Sequence, residues 1–370
     1  MPVSTELGTR EAITDRRPGD TGRRIRVAIV GATGYVGAEL IRLLARHPNV
    51  EIVGLVGRER SDEPIEQTHA SLALTSLVVD AARPPAEAVF LALPHGAAAG
   101  QVGEIVADGT AVIDLGPDFR LRDPADYPAW YGFEHPAPNL LASAVYGLPE
   151  LRRRELEALA DERLAIVGSP GCYPTTTLLA LAPLARAGLI GDLVVDAKSG
   201  VSGAGREAKA ELMFGEVNES VKAYGLGGHR HVAEIEQELG ALAPTGDANP
   251  GAKRVDFLPH LIPMTRGILA TCHVRPTRAV TQSELDELYA SAYADEAFVT
   301  VVPTPPATKH VTGSNEVRVH VRFDGRTGRI IAIGVLDNLV KGAAGQAVQA
   351  FNLVHGLPET AGLAQLPLAP

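Results

Sequence analysis

Cys172 stands in a sequence context that is typical of a nucleophile. It follows Gly-Ser-Pro-Gly at residues 168–171 and precedes an apolar run with Pro174 near its start and Gly188 at its end. This pattern predicts a strand end, a tight turn and a helix that begins close to the cysteine. The helix dipole and unpaired N–H groups favour a thiolate there, so we expect Cys172 to attack an electrophile. The alternative is a buried cysteine that only packs.

The tripeptide His-Arg-His at residues 229–231 could transfer protons near neutral pH. It follows a glycine-rich turn and precedes a predicted helix that runs through Leu239. A thiol nucleophile needs a base nearby, and histidine suits that role. His229 and His231 both qualify, and the extended lead-in favours His231 as the acid/base with His229 nearer the substrate. The alternative is a surface pair that caps the helix.

The run Gly-Ala-Thr-Gly-Tyr-Val-Gly at residues 31–37 predicts a dinucleotide site. It comes directly after a short apolar strand and opens a helical pattern, which is the order that a dinucleotide-binding fold requires. Glycines there let backbone N–H groups approach a pyrophosphate at the helix N-terminus. The expected cofactor-binding residues of this run are Gly31, Thr33, Gly34, Tyr35, Val36 and Gly37.

The segment after the second predicted strand favours NADP as the cofactor. NAD-binding proteins place an acidic residue there for the ribose hydroxyls, whereas this chain offers Arg58, Arg60 and Ser61, which suit a 2′-phosphate. Glu59 and Asp62 lie in the same segment and weaken the distinction. Pro94 and His95 end another strand, and we expect them to shape the loop that faces the cofactor crevice.

Two further segments could bind substrate. Residues 199–206 form a small-residue loop after a predicted strand, and such a loop brings backbone and hydroxyl donors close to a ligand. Arg120, in Asp-Phe-Arg at residues 118–120, is either a phosphate or carboxylate ligand or an ordinary ion-pair partner. The candidate substrate-binding residues are Arg120, Ser199, Gly200, Ser202, Gly203 and Arg206.

Composition excludes several classes of function. The chain has 370 residues and a net charge of −10 without a long basic stripe, which argues against nucleic acid as a partner. No apolar run reaches the length of a membrane span, and no signal peptide is evident. Cys172 and Cys272 are far apart and lack metal-ligand spacing, so we expect no disulfide framework, no metal site and a cytoplasmic location. Cys272 lies in a strand-like run and is expected in the core.

Alternating strand and helix patterns predict an α/β protein. A Rossmann-type, doubly wound parallel sheet is expected first, followed by an α+β domain with a mixed or antiparallel sheet. Five strand-like runs after Cys172 define that second sheet, and a last helix is predicted over residues 338–355. The expected divisions are a disordered tail at 1–22, a cofactor domain at 23–171, and a catalytic domain at 172–336.

These motifs together resemble the N-acetyl-γ-glutamyl-phosphate reductases of the semialdehyde dehydrogenase superfamily. The resemblance runs in order over roughly residues 25–355 and also includes Leu-Pro-His-Gly at 93–96 and Asp-Asn-Leu-Val-Lys-Gly at 337–342. It implies that residues 337–370 return to the cofactor domain, with Asn338 and Gly342 near the cofactor. It also implies a homodimer or homotetramer that pairs through the second sheet.

The resemblance implies an NADPH-dependent reduction of an acyl phosphate in arginine biosynthesis. Cys172 would displace phosphate to form a thioester, and hydride transfer would release the aldehyde. Other acyl-phosphate reductases of this fold, which act on aspartyl phosphate or carrier-bound aminoadipyl phosphate, remain alternatives. Two alternatives of other classes are an NADP-binding redox sensor that uses Cys172 as its switch and a cysteine hydrolase, which would leave the glycine motif without a purpose.

Overall fold

The computed structural model describes residues 23–57, 62–162, 165–244 and 254–368. Two sheets organise this part of the chain, and both follow the predicted fold class. The tail at 1–22 and the cofactor candidates Arg58, Arg60 and Ser61 lie outside the described residues.

The first sheet has six strands in the order β2-β1-β3-β4-β6-β5, and all its pairs are parallel, as the sequence predicted. Its strands are β1 Ile25–Val30, β2 Val50–Val56, β3 Ala88–Leu91, β4 Ala111–Asp114, β5 Ala144–Tyr146 and β6 Ile166–Gly168. Its helices are α1 Tyr35–Leu44, α2 Ala99–Ala107, α3 Asp126–Tyr131, α4 Pro138–Leu141 and α5 Pro149–Ala158. All four residues of β3 are buried because helices cover both faces of a parallel sheet.

The second sheet has seven strands and is mixed, in the order β11-β12-β13-β10-β7-β9-β8. Its strands are β7 Ile190–Gly200, β8 Lys222–Ala223, β9 Asp256–Ile262, β10 Ile268–Pro276, β11 Val299–Val301, β12 Val317–Asp324 and β13 Arg329–Leu336. The helices of this part are α6 Cys172–Arg186, α7 Phe214–Val217, α8 His231–Leu242 and α9 Gln282–Tyr293. Cys272 is buried in β10, as expected.

Burial alternates along the central strands of the second sheet. In β7 and β10 fully buried residues alternate with partly buried ones, which is the pattern of a sheet with one face on the core. The buried face packs against α6, where Leu178, Leu181 and Leu184 are inaccessible to solvent. The site residues at the start of α6 are therefore fixed by a rigid support.

The chain returns to the first sheet at its C-terminal end. A π-helical turn at Val340–Ala344 leads into α10 at Gly345–Val354, so the predicted last helix is confirmed but begins with a wider turn. Phe351 packs against Phe90 of β3, with ring centroids 5.5 Å apart. The turn and α10 thus share a hydrophobic core with β1 and β3.

Candidate active site

Cys172 is the first residue of α6, directly after the loop that leaves β6. The loop residue Gly171 has extended backbone angles and precedes the helix as its N-cap. On the other side, the π-helical turn approaches so closely that a Cβ atom on Gly342 would lie 2.8 Å from Cys172 Cβ. As a residue, Cys172 is partly buried between these two segments.

The pKa of the Cys172 thiol is raised to about 11, chiefly because burial penalises the charged thiolate. The positive charge of Arg120 acts in the opposite direction but does not outweigh burial. The helix N-terminus alone predicts a thiolate, but burial acts more strongly and favours the thiol. The thiol is protonated near neutral pH and needs a base when it reacts.

His231 is the first residue of α8 and lies against the loop before Cys172. A Cβ atom on Gly171 would be 2.4 Å from His231 Nε2, so only glycine leaves room for this imidazole. Burial, followed by the charges of His229, Arg120 and Arg230, lowers the pKa of His231 well below its ordinary value. The imidazole is therefore neutral near pH 7, and its Nε2 atom lies against Gly171, the residue before Cys172. Within the described residues its Nδ1 atom is buried without a hydrogen-bond partner.

His229 supports the start of α8 through a hydrogen bond to the backbone. Its Nδ1 atom accepts a hydrogen bond from the backbone N–H of His231 at 3.2 Å. Its ring packs edge-on against Tyr173 and Tyr224, with centroids 5.8 and 5.6 Å away. Burial and the Arg230 charge lower its pKa to about 4. These contacts favour His231 as the proton-transfer group, although the assignment stays a prediction.

Glu234, which the sequence analysis did not select as a site residue, connects the components of the site. Its buried carboxylate accepts the N–H of Gly171 at 3.0 Å and the hydroxyl of Tyr146 at 3.1 Å. Its other oxygen lies 4.0 Å from His231 Nε2. The spacing of three residues from His231 on a predicted helix was the available signal, because such residues share a helix face.

Arg120 lies in this network and directs several donors to the protein itself. Its guanidinium donates to Glu234 at 3.1 Å, to the carbonyl of Ser169 at 2.7 Å and to that of Leu115 at 2.8 Å. These bonds hold the loop before Cys172 against α8. Direct contact between Arg120 and substrate remains a prediction, since part of its donor set is already used.

Asp118 positions the loop that contains Pro94 and His95. Its carboxylate accepts the N–H groups of Gly96 at 2.8 Å and of Ala98 and Ala99 at 3.0 Å each. This arrangement anchors the N-terminus of α2, where a negative charge is favourable. The loop therefore has a fixed path along the crevice at the carboxyl ends of the strands.

The glycine motif has the geometry that a dinucleotide requires. Gly31 has φ +89°, and a Cβ atom there would lie 2.2 Å from the carbonyl oxygen of Ala92. A Cβ on Gly37 would lie 2.4 Å from the oxygen of Gly31, so both positions need glycine for close packing. Gly34 is the N-cap of α1 and provides no side-chain cap. The first-turn N–H groups at Tyr35 and Val36 thus remain available to a phosphate, and the described residues fit a dinucleotide.

The loop at residues 199–206 lies between the second sheet and the glycine motif. The side chain of Asn338 donates to Ser202 Oγ at 2.9 Å and accepts the N–H of Gly267 at 2.7 Å. Arg206 is exposed and donates to the carbonyl of Thr33 at 3.5 Å. Ser199, Gly200 and Gly203 belong to the same loop, and Gly203 packs against Ser199. The structure therefore brings these candidate residues together in one loop between the second sheet and the glycine motif. Their contacts with ligands remain predictions.

The described residues offer neither a cluster of metal ligands nor a membrane-spanning helix. Those residues contain no group of three or more histidine, cysteine, aspartate or glutamate side chains arranged to hold a metal ion. None of the described helices is long and apolar enough to cross a membrane.

Comparisons with known proteins agree with the division into two sheets. The family model described as "Semialdehyde dehydrogenase, NAD binding domain" matches residues 26–159, and "Semialdehyde dehydrogenase, dimerisation domain" matches residues 172–338. An N-acetyl-gamma-glutamyl-phosphate reductase of Heliobacterium modesticaldum is 49% identical over 92% of this chain and 98% of its own. One from Geobacter metallireducens is 46% identical over 94% of this chain and 100% of its own.

Solved structures with a similar fold are aspartate semialdehyde dehydrogenases. The Vibrio cholerae enzyme II complexed with ASA has a TM-score of 0.66 at 19% identity and covers 90% of this chain and 98% of its own. The Candida albicans enzyme with NADP has a TM-score of 0.66 at 16% identity and covers 92% of this chain and 99% of its own. At these identities the likeness extends to the fold alone.

A dinucleotide-type sheet joined to a second sheet, with Cys172 and His231 at the starts of two helices, is typical of an oxidoreductase. The two family models, together with relatives that are 46–49% identical to this chain, identify the family within this class of enzyme. The chain belongs to the semialdehyde dehydrogenase family, in the group of the N-acetyl-gamma-glutamyl-phosphate reductases.

Proposed function

We propose that the protein reduces N-acetyl-γ-glutamyl phosphate to the corresponding semialdehyde with release of phosphate, a step of arginine biosynthesis. The main support is the placement of Cys172 at the start of α6 and of His231 against the preceding residue, Gly171, next to a dinucleotide-type sheet. The names of relatives 46–49% identical over nearly the whole chain give the substrate.

The residues of the site perform the chemistry in two stages. His231 takes the proton of Cys172 as the sulfur attacks the acyl carbon, and it passes that proton to the departing phosphate oxygen. The product of this stage is a thioester on Cys172. NADPH, when bound, supplies the hydride that reduces it. The aldehyde then leaves as the carbon–sulfur bond breaks, and a solvent proton restores the thiol.

Glu234 holds Cys172 and His231 in position relative to each other. It binds the N–H of Gly171, next to the thiol, and lies on the same helix face as His231. Arg120 fixes the same loop through the carbonyl of Ser169. Positioning of this kind lowers the barrier because the reacting groups lose little freedom in the reaction.

The cofactor proposal is NADP. Gly31, Thr33, Gly34, Tyr35, Val36 and Gly37 would approach the pyrophosphate, with Pro94, His95, Asn338 and Gly342 nearer the nicotinamide. Arg58, Arg60 and Ser61 would hold the 2′-phosphate through charge-assisted hydrogen bonds. A structural neighbour solved with NADP is consistent with this choice.

The remaining proposals concern substrate contacts, domains and assembly. Arg120 and the loop residues Ser199, Gly200, Ser202, Gly203 and Arg206 would line the substrate side. The cofactor domain would comprise residues 23–171 and 337–370, and the catalytic domain 172–336.

Subunits would pair through the half-exposed face of the second sheet as a homodimer or homotetramer. The match to a dimerisation domain supports this assembly. Two free cysteines are consistent with the cytoplasm.

The reverse reaction tests the function directly. The purified protein is mixed with NADP, phosphate and one of three aldehydes: N-acetylglutamate semialdehyde, aspartate semialdehyde or a carrier-linked aminoadipate semialdehyde. We expect NADPH formation with the first and none with Cys172→Ser, which retains NADP binding. A preference for either other aldehyde rejects the substrate, and near-native turnover by the serine variant rejects the thioester.

A further inference from the structure

Arg230 links the start of α8 to the loop after β3. Its guanidinium donates to Nδ1 of His95, in the loop after β3. The His95 ring contacts that of Tyr131, with centroids 6.2 Å apart, and the Tyr131 hydroxyl donates to Glu234 at 3.5 Å. On the other side, Arg230 directly follows His229 in the chain. Arg230 therefore joins the N-terminus of α8 to the loop after β3, close to both histidines of the site.

The charge of Arg230 is not neutralised by the part of the chain that the structure describes. Within that part, no carboxylate lies within 4.0 Å of its guanidinium, and His95 is the one side chain that hydrogen-bonds to it. Burial, followed by the charge of Arg230, lowers the pKa of His95 to about 4. The ring is therefore neutral near pH 7 and orients the guanidinium without cancelling its charge. Arg230 is exposed, and a guanidinium has five N–H donors, so donors beyond the one bound to His95 remain for a ligand.

Arg120 differs from Arg230 in both respects. It is nearly buried, with 10% of its side chain exposed, and pairs with Glu234 at 3.1 Å. Its positive charge is thus compensated within the fold, whereas no carboxylate of the described residues forms an ion pair with Arg230. The positive charge of Arg230 also lowers the pKa values of His229 and His231, which places it electrostatically close to the proton-transfer group. An anion that enters here would relieve an uncompensated charge.

We propose that Arg230 binds an oxyanion group of the substrate, with His95 holding the guanidinium in its orientation. This inference rests on the proposed function, because an acyl phosphate of an amino-acid derivative has two such groups, a phosphate and a carboxylate. The planar fork of arginine binds either group through two parallel hydrogen bonds.

The reverse reaction separates the two groups, since phosphate and the carboxylate-bearing semialdehyde are then different reactants. Arg230→Met should raise the KM of one of them about 10- to 100-fold, the usual effect of losing a charge-assisted hydrogen bond. Arg230→Lys should recover part of the loss because it keeps the charge without the fork. A higher KM for phosphate identifies the phosphate as the ligand, and a higher KM for the semialdehyde identifies the carboxylate.

Arg326→Gln is the matched control. Arg326 is an arginine with 85% of its side chain exposed in the turn between β12 and β13, and both of its KM values should stay at the wild-type level. If both KM values of Arg230→Met stay within about twofold of wild type, or only kcat falls, the inference is overturned.

A measurement without turnover keeps this inference separate from the proposed function. Phosphate or N-acetylglutamate should slow the alkylation of Cys172 by iodoacetamide in the wild type, and Arg230→Met should need at least tenfold more of the protecting anion. Equal protection in both proteins, or none in the wild type, overturns the inference even if no semialdehyde is turned over.

Discussion

Gly342 offers a direct test of the geometry around the nucleophile, since replacing it with alanine adds one methyl group against Cys172. A Cβ atom at this position would lie 2.8 Å from Cys172 Cβ, 3.2 Å from Leu336 Cδ1 and 3.3 Å from the carbonyl of Asp337. Ordinary contacts between such atoms are about 3.5–4.0 Å, so the cysteine must move by roughly 1 Å. The π-helical turn and α6 are both buried, which leaves little room to relax.

A displacement of about 1 Å at a reacting atom costs about 10²-fold in rate, and we expect a loss of that order in kcat for Gly342→Ala. The assay is the reverse reaction at saturating substrates, together with the rate at which iodoacetamide alkylates Cys172. Gly100→Ala is the matched control, because Gly100 lies in α2 and a Cβ there meets nothing within 4 Å. That variant should keep full activity and gain up to about 1 kcal/mol of helix stability.

A folded Gly342→Ala protein with kcat within about threefold of wild type would show that the close approach of the turn to Cys172 has no bearing on the chemistry. Cofactor binding, followed by fluorescence of NADPH, distinguishes a displaced thiol from a disrupted cofactor site. We expect the dissociation constant for NADPH to change much less than kcat.

Two further predictions concern protonation. His231→Asn should lower kcat about 10²- to 10⁴-fold and remove the acidic limb of the pH–rate profile. That limb lies below pH 6.5 because burial lowers the pKa of His231. His229→Asn should keep the limb, and the reverse pattern would assign the base to His229. Burial raises the pKa of Asp114 from 3.8 to about 7, so the folded protein binds a proton that the unfolded chain lacks, and stability falls as pH rises between those values. Asp114→Asn should remove this pH dependence. In urea titrations, the free energy of unfolding of the variant relative to wild type should rise by up to about 4 kcal/mol from pH 4 to pH 8. A difference between the two proteins that stays constant with pH would contradict this prediction.

Local patterns were sufficient for the elements that hold the site. The apolar run before Gly31 and the glycines after it predicted β1 and the start of α1, because turn geometry and helix periodicity are properties of neighbouring residues. The same is true of Cys172 at the start of α6 and His231 at the start of α8. The short strands β5, β8 and β11 were not predicted, since two or three residues contain no detectable periodicity.

Properties that depend on distant residues were beyond the sequence. The raised pKa of Cys172 comes from burial under a turn contributed by Gly342 and its neighbours, which no local pattern reveals. The hydrogen bonds of Arg120 to Glu234, and of Arg230 to His95, join residues more than a hundred positions apart. The sequence identified these chemical groups, but only the folded chain determines their partners.

The return of α10 to the first sheet also determines when that sheet can be completed during synthesis. Its core joins Val27 and Ile29 of β1 to Val348 and Phe351, near the opposite end of the chain. The core of the second sheet, by contrast, is complete once Leu336 has been made. On a ribosome the second sheet therefore has all its partners first, while the face of the first sheet that contains Val27 and Ile29 must wait for α10. Although the glycine motif is made early, we expect it to become competent for cofactor binding last.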